Sequence, residues 1–113
     1  MTVPLHQAKA ELFRTLAHPV RIRVLELLSE RDHAVHELLA EIPLEASNLS
    51  QQLAVLRRSG LVRQLRVRGD VRYCLLVPEV RDLLQSARLV LGSVLADQAE
   101  LHRQLGPQHG VPR

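Results

Sequence analysis

Apolar residues recur at helical spacing along most of the chain, and the breaks in that spacing predict where helices begin and end. Residues 5–16 have an apolar face, and His18-Pro19 interrupts it, because proline suits the first position of a new helix. Residues 19–29 are apolar on two sides, which is typical of a helix in the middle of a core. A shorter pattern over 34–41 predicts a third helix, and a proline-containing turn follows it.

The fourth predicted helix has an unusual polar face. It begins at Ala46 or Ser47 and ends at Ser59, where Gly60 supplies the C-terminal cap. The inward positions, spaced i, i+4 and i+7, are Leu49, Leu53 and Leu56. The residues on or beside the opposite face are Ser47, Asn48, Ser50, Gln51, Ala54 and Arg58. Solvated helices ordinarily carry glutamate and lysine there, so this face is suited to another role.

A hairpin and a long helix complete the pattern. Strands over 61–67 and 71–77 flank a tight turn at 68–70, and Pro78 begins a last helix that reaches about Leu105. The apolar spacing of that helix continues for about seven turns, more than a small monomer easily covers. We therefore expect a partner helix, most simply from a second copy of the chain. The expected dimer interface comprises Leu5, Leu12, Leu84, Ala87, Leu91, Val94 and Leu95.

Length and composition limit the class of protein. The 113 residues suffice for one domain, predicted over 1–105, with a flexible tail over 106–113 that is rich in glycine and proline. No stretch approaches the roughly 18 apolar residues of a membrane span, and the N-terminus does not resemble a secretory signal. The single cysteine, Cys74, excludes an internal disulfide and paired-cysteine zinc sites. These features predict a cytoplasmic protein that makes no membrane contact.

Charge is unevenly distributed, although the net charge is only +3. Six arginines and a single aspartate lie between Arg57 and Arg72, whereas six acidic residues and a single arginine lie between Glu26 and Glu45. A basic block in a nearly neutral protein suggests a surface for a polyanion. Charge alone fits a solvated arginine-rich face equally well.

The order of elements decides between these interpretations. A short helix, a turn and a second helix form a helix-turn-helix, whose second helix enters the major groove, and a basic hairpin directly afterwards forms a wing. Ser, Asn and Gln can hydrogen-bond base edges, and wing arginines can contact phosphate or the minor groove. The pattern predicts a mainly α winged helix-turn-helix protein that binds double-stranded DNA. The residues expected to contact DNA are Ser47, Asn48, Ser50, Gln51, Arg57, Arg58, Arg66, Arg68 and Arg72.

Other functions lack the residues that they require. No phosphate-binding glycine loop, nucleophile elbow or metalloprotease motif is present, so we expect no enzymatic activity. The only aromatic residues are Phe13 and Tyr73, which is too few for single-strand binding by base stacking.

Three segments resemble the ArsR/SmtB family of transcriptional regulators. Residues 13–28 (FRTLAHPVRIRVLELL) resemble its opening signature, 46–62 (ASNLSQQLAVLRRSGLV) its recognition helix and 69–73 (GDVRY) its wing. The resemblance covers about residues 8–95. It implies a cytoplasmic homodimer, joined by its first and last helices, that binds an imperfect palindrome near a promoter. Most members repress transcription and leave DNA when an inducer binds.

The metal sites of that family do not carry over. Its cysteine pair on the short helix corresponds to Ala34 and His36 in this sequence. Its site on the last helix corresponds to Val77, Glu79, Val90 and Ser93, which retain one potential ligand of four. No cofactor is therefore expected.

Two histidine pairs leave a direct metal sensor as one alternative. His33 and His36, spaced i, i+3, could bind a nickel- or zinc-like ion with Asp32 or Glu37, although a polar, solvated helix start is the favoured interpretation. The other pair is His102 and His109, to which His6 of a partner subunit would add a third ligand. The second alternative is a dimeric interaction protein that acts through a co-regulator. Operator binding by the purified chain would distinguish it.

Overall fold

The computed structural model describes residues 2–106, which form five helices and a small antiparallel sheet. The elements are α1 (Leu5–Leu16), α2 (Pro19–Glu30), β1 (His33–Ala34), α3 (Val35–Glu41), α4 (Ala46–Arg58), β2 (Val62–Val67), β3 (Asp70–Leu75) and α5 (Glu79–Leu105). The predicted fold class is confirmed, and the boundaries differ from the predicted ones by at most two residues. Apart from Gly106, the tail expected over 106–113 lies outside the described residues.

Local sequence signals set the helix ends. His18 caps α2, since its ring Nδ1 accepts the backbone N–H of Val20 at 3.2 Å, and Pro19 occupies the first helical position. Gly60 follows α4 with a φ of 78°. Its N–H donates to the carbonyl of Arg57 and the next N–H, of Leu61, donates to the carbonyl of Leu56. This pair of bonds is a Schellman motif, which turns the chain sharply from α4 toward the hairpin.

The sheet contains one strand that the sequence pattern did not predict. Its order is β1-β3-β2, with both pairings antiparallel. β1 is only His33–Ala34, which is too short to show the period-two alternation of a strand, and α3 consequently begins at Val35. The β2–β3 hairpin closes through Arg68 and Gly69, whose φ angles of 53° and 80° are those that a type I′ turn requires.

The core is aliphatic and lies among α2, α3, α4 and the sheet. The largest fully buried side chains are Val24, Leu25, Leu38, Leu49, Leu53 and Leu56. The three leucines of α4 thus face inward as predicted, and they fix the rotation of that helix about its axis. Tyr73 and Cys74 of β3 are also buried, so the cysteine is a core residue.

The chain divides into two compact units. The first ends at Arg81 and contains both the helix-turn-helix and the hairpin. The second begins at Asp82 and, within the described residues, consists of the remainder of α5. Its apolar side chains are largely exposed in the single chain, among them Leu89, Val90, Leu91, Val94, Leu95, Leu101 and Leu105. None of the helices within residues 2–106 is both long and apolar enough to cross a lipid bilayer.

Candidate nucleic-acid interface

The outer face of α4 is polar and open to solvent. Burial of the three leucines directs the opposite side of the helix outward, and Ser47, Asn48, Ser50 and Gln51 are all exposed. The structure therefore brings together the four residues that the sequence predicts for base reading, on the first two turns of one helix. Serine hydroxyls and side-chain amides can both donate and accept hydrogen bonds, which suits them to the mixed pattern of groups on base edges.

A hydrogen bond within this face involves a residue that the sequence analysis did not single out. Gln52 Nε2 donates to Asn48 Oδ1 at 3.2 Å. The bond occupies the carbonyl oxygen of the Asn48 side chain and does not involve its NH₂ group, which can still donate. The i, i+4 spacing of an asparagine and a glutamine was the available signal for this pair, because such residues are neighbours on a helix surface.

The two arginines at the end of α4 are exposed. Arg57 and Arg58 occupy the last turn of the helix, where cations interact favourably with the C-terminal end of the helix dipole. The Schellman turn then leads into β2 within three residues. The basic end of α4 is thereby connected directly to the basic hairpin.

The hairpin exposes most of its arginines. Arg63, Arg66 and Arg68 are all open to solvent, and Arg66 also makes a long contact of 3.4 Å to the carbonyl of Gly69 at the turn. Arg68 lies in the turn itself, at the tip of the hairpin. Arg63 was part of the basic block but not of the predicted contact set, although it too is exposed.

Arg72 differs from the other wing arginines. Its side chain is only 25% exposed, and its Nη2 donates to Glu37 Oε1 at 2.9 Å and to the carbonyl of Asp32 at 3.3 Å. Asp70 Oδ2 lies 3.6 Å from its Nη1. The guanidinium is thus engaged by groups of its own chain, a contact that the sequence pattern did not indicate.

Glu37 lies at the centre of these contacts. It is the third residue of α3, and its Oε1 accepts the N–H of Ala34 at 2.8 Å, while Arg31 donates to its Oε2 at 3.3 Å. The Ala34 N–H and then the charges of Arg72 and Arg31 lower the pKa of Glu37 from 4.5 to about 2, against partial burial, which raises it. The carboxylate therefore stays charged throughout the neutral and mildly acidic range.

The histidine pair proposed for a metal does not share a helical face. His33 is buried in β1, opposite Tyr73, and its Nδ1 lies 2.8 Å from the carbonyl of Arg31. His36 is exposed on α3. The expected i, i+3 arrangement is wrong, because the helix begins only at Val35 and leaves His33 in a strand. The favoured description of a solvated helix start is likewise wrong for His33.

The remaining candidate ligands are scattered. His6 and His102 are exposed on α1 and α5, and His109 lies outside the described residues. Among residues 2–106 no three His, Cys, Asp or Glu side chains come together in an arrangement that could hold a metal ion.

The residues predicted for the dimer interface are mostly open in the single chain. Leu5 is 69% exposed and Leu91 60%, while Leu12 and Leu84 are partly buried. The other members of the set, all exposed on α5, are Ala87, Val94 and Leu95. Phe13 of α1 adds a further exposed apolar side chain that the prediction omitted.

Taken together, a helix-turn-helix of α3 and α4 followed by a basic β-hairpin defines the winged helix-turn-helix class of DNA-binding proteins. Residues 18–64 match the family model described as bacterial regulatory protein, arsR family. The chain is 52% identical over 103 residues to the HTH-type transcriptional regulator Rv0081 of Mycobacterium tuberculosis, and the match covers 90% of each chain. The chain belongs to the ArsR family of helix-turn-helix transcriptional regulators.

Other comparisons agree with this assignment. The crystal structure of Rv0081 superposes with a TM-score of 0.79, covering 87% of this chain and 99% of that one. The biofilm growth-associated repressor of Xylella fastidiosa is 38% identical over 77 residues, which cover 68% of each chain. A transcriptional repressor SmtB homolog of Synechocystis is 35% identical over 94 residues, covering 77% of this chain and 71% of its own.

Proposed function

We propose that the protein is a sequence-specific regulator that binds an imperfect palindrome in double-stranded DNA as a homodimer, in the cytoplasm. The observation that carries this proposal is the outer surface of α4, where Ser47, Asn48, Ser50 and Gln51 are exposed together on and beside the side opposite the buried leucines. Four exposed, uncharged hydrogen-bonding side chains contribute little to the stability of a surface helix in water. They do allow it to distinguish base pairs in the major groove.

The wing supplies the complementary, sequence-independent part of the interaction. Arg66 and Arg68 project from the exposed end of the hairpin, and Arg57 and Arg58 add charge at the end of α4. The guanidinium fork fits a phosphate better than a lysine ammonium does, and the chain contains a single lysine, Lys9. Arg72 is already paired with Glu37, so we expect it to contribute less to phosphate binding than the exposed arginines.

The proposed dimer uses the apolar side chains that one chain leaves in water. The exposed leucines and valines of α5 recur at helical spacing, and α1 adds Leu5 and Phe13. A second copy that covers these side chains would remove a large apolar surface from water. It would also present two α4 helices, as a palindromic site requires.

The proposed regulator acts by binding and carries out no reaction. The positions that bind metal in other members of the family hold Ala34, Val77, Val90 and Ser93 in this chain. We propose that regulation comes from a partner protein, another ligand or the expression level of the chain itself.

A selection from random duplex DNA tests this function. The purified protein should enrich a palindromic sequence, and footprinting should then locate that sequence in upstream DNA of its own gene. Ser47→Ala should lose preference at one base pair of each half-site. Ser59→Ala is the matched control, since this exposed serine lies at the opposite end of α4 and bonds the carbonyl of Val55. Enrichment of no sequence by the wild-type protein would refute the proposal.

A further inference from the structure

Two residues far apart in the chain meet between the helix-turn-helix and the wing. Glu37 is in the first turn of α3 and Arg72 is in β3, yet Arg72 Nη2 lies 2.9 Å from Glu37 Oε1. Both side chains are only about a quarter exposed, at 28% and 25%. Water therefore screens this pair less than it screens the more exposed ion pairs of the surface.

The same carboxylate also organises the start of α3. Glu37 Oε1 accepts the Ala34 N–H, which would otherwise be one of the unpaired donors at a helix N-terminus. Ala34 is in turn the residue that pairs with Arg72 in the sheet. A single oxygen thus joins the first turn of α3 to the wing strand, through one backbone and one side-chain donor.

Apolar side chains at the base of the hairpin pack into the core, whereas the other polar connections between these elements are few. β1 contributes two residues to the sheet, and Arg72 adds a bond to the carbonyl of Asp32. Beyond this region the hairpin extends to a solvent-exposed turn at Arg68 and Gly69. A small rotation at the base of a hairpin displaces its tip by a larger distance, so the contacts at the base determine where the exposed arginines lie relative to α4.

We propose that Glu37 and Arg72 are positioning residues that fix the wing relative to the helix-turn-helix. In this arrangement Arg72 affects DNA affinity through Glu37 and makes no phosphate contact of its own. The inference rests on the proposed DNA-binding function and goes beyond it. It gives Arg72 a positioning role in place of a phosphate contact, and it gives the acidic residue Glu37 a role in DNA affinity.

The two roles of Arg72 predict opposite effects of one substitution. Glu37→Gln removes a negative charge and keeps an oxygen that can accept the Ala34 N–H, so the start of α3 is preserved. If Glu37 merely neutralised Arg72, the substitution would release a cation and DNA would bind more tightly. If Glu37 positions the wing, the same substitution weakens binding.

The experiment measures affinity for a selected operator duplex by fluorescence anisotropy, over a series of salt concentrations. We expect Glu37→Gln and Arg72→Ala each to weaken binding about fivefold, and the double variant to be no weaker than either. Arg72→Lys should bind within about twofold of the wild type, because an ammonium can still donate to Glu37. Glu26→Gln is the matched control, since it removes the same charge from an exposed pair with Arg23 and should not weaken binding.

The salt dependence separates positioning from phosphate contact. Arg72→Ala should keep the wild-type slope of log K against log salt, whereas Arg68→Ala should reduce its magnitude by about 0.9. Tighter or unchanged binding by Glu37→Gln, or a reduced slope for Arg72→Ala, would overturn the inference while leaving the proposed function intact. A wild-type protein that binds no selected duplex would overturn the proposed function itself, and the inference with it. Circular dichroism and thermal unfolding confirm that each variant is folded.

Discussion

Replacement of Leu91 by glutamate should convert the protein to a folded monomer. Leu91 is 60% exposed in the single chain. In the isolated protomer, therefore, both the leucine and the glutamate that replaces it lie largely in water. Surface changes of this kind alter the free energy of unfolding by about 0.5 kcal/mol or less. The proposed dimer is different, because there the same side chain would be buried against a second copy.

The magnitude follows from that exposure. Complete burial of a leucine contributes about 1.5–3 kcal/mol, so covering the exposed 60% of Leu91 contributes roughly 1–2 kcal/mol per protomer. Leu91 occurs twice in a two-fold dimer. Leu91→Ala should therefore weaken dimerisation by about 2–4 kcal/mol, or roughly 30- to 700-fold. Leu91→Glu should weaken it further, since it buries a carboxylate without a partner.

Light scattering and sedimentation over a concentration series measure the dimer dissociation constant. Ser86→Glu is the control, because it adds the same charge to the same helix at an exposed position about 140° away around the axis. We expect Ser86→Glu to remain dimeric and to bind DNA, and Leu91→Glu to lose both properties. If Leu91→Glu is folded and still dimeric, α5 does not form the interface in the proposed way.

Four further predictions concern DNA binding, the pH dependence of stability and the response to metal ions. Replacing Arg66 and Arg68 together by alanine should lower the magnitude of the salt slope by about 1.8, and an unchanged slope would exclude the wing from phosphate binding. Gln51→Ala should relax preference at one base pair by about 1–3 kcal/mol in competition titrations. The low pKa of Glu37 predicts stability that is present above pH 4.5 and is lost as the pH falls toward 2; urea titrations should show a shallower loss for Glu37→Gln. Nickel or zinc should shift operator affinity less than tenfold, and a larger shift abolished by His36→Ala would identify a direct metal sensor.

Local patterns sufficed to predict most of the fold and the exposed polar face of α4. The rotation of α4 follows from the spacing of Leu49, Leu53 and Leu56, because burying one face of a helix necessarily exposes the other. The turn at Arg68 and Gly69 was likewise recognisable from neighbouring residues. Each of these features depends on residues within a few positions of one another.

The features that the sequence did not reveal depend on tertiary contacts. β1 exists because two residues pair with a strand about forty positions later, and its length leaves no periodic signal. The burial of His33 follows from that pairing. Arg72 looked like any other wing arginine, since only the fold shows that Glu37 lies within hydrogen-bond distance of it.

The ratio of specific to non-specific DNA affinity tests the central claim most directly. The purified wild-type protein would be titrated with its selected duplex and with an unrelated duplex of equal length, at about 150 mM salt. Regulators of this kind prefer their own site by roughly 10³-fold or more, and a dimer should protect two half-sites about one helical turn apart. We expect both results. Equal affinity for the two duplexes, abolished at high salt, would mean that the exposed face of α4 reads no sequence and that the protein acts through another partner.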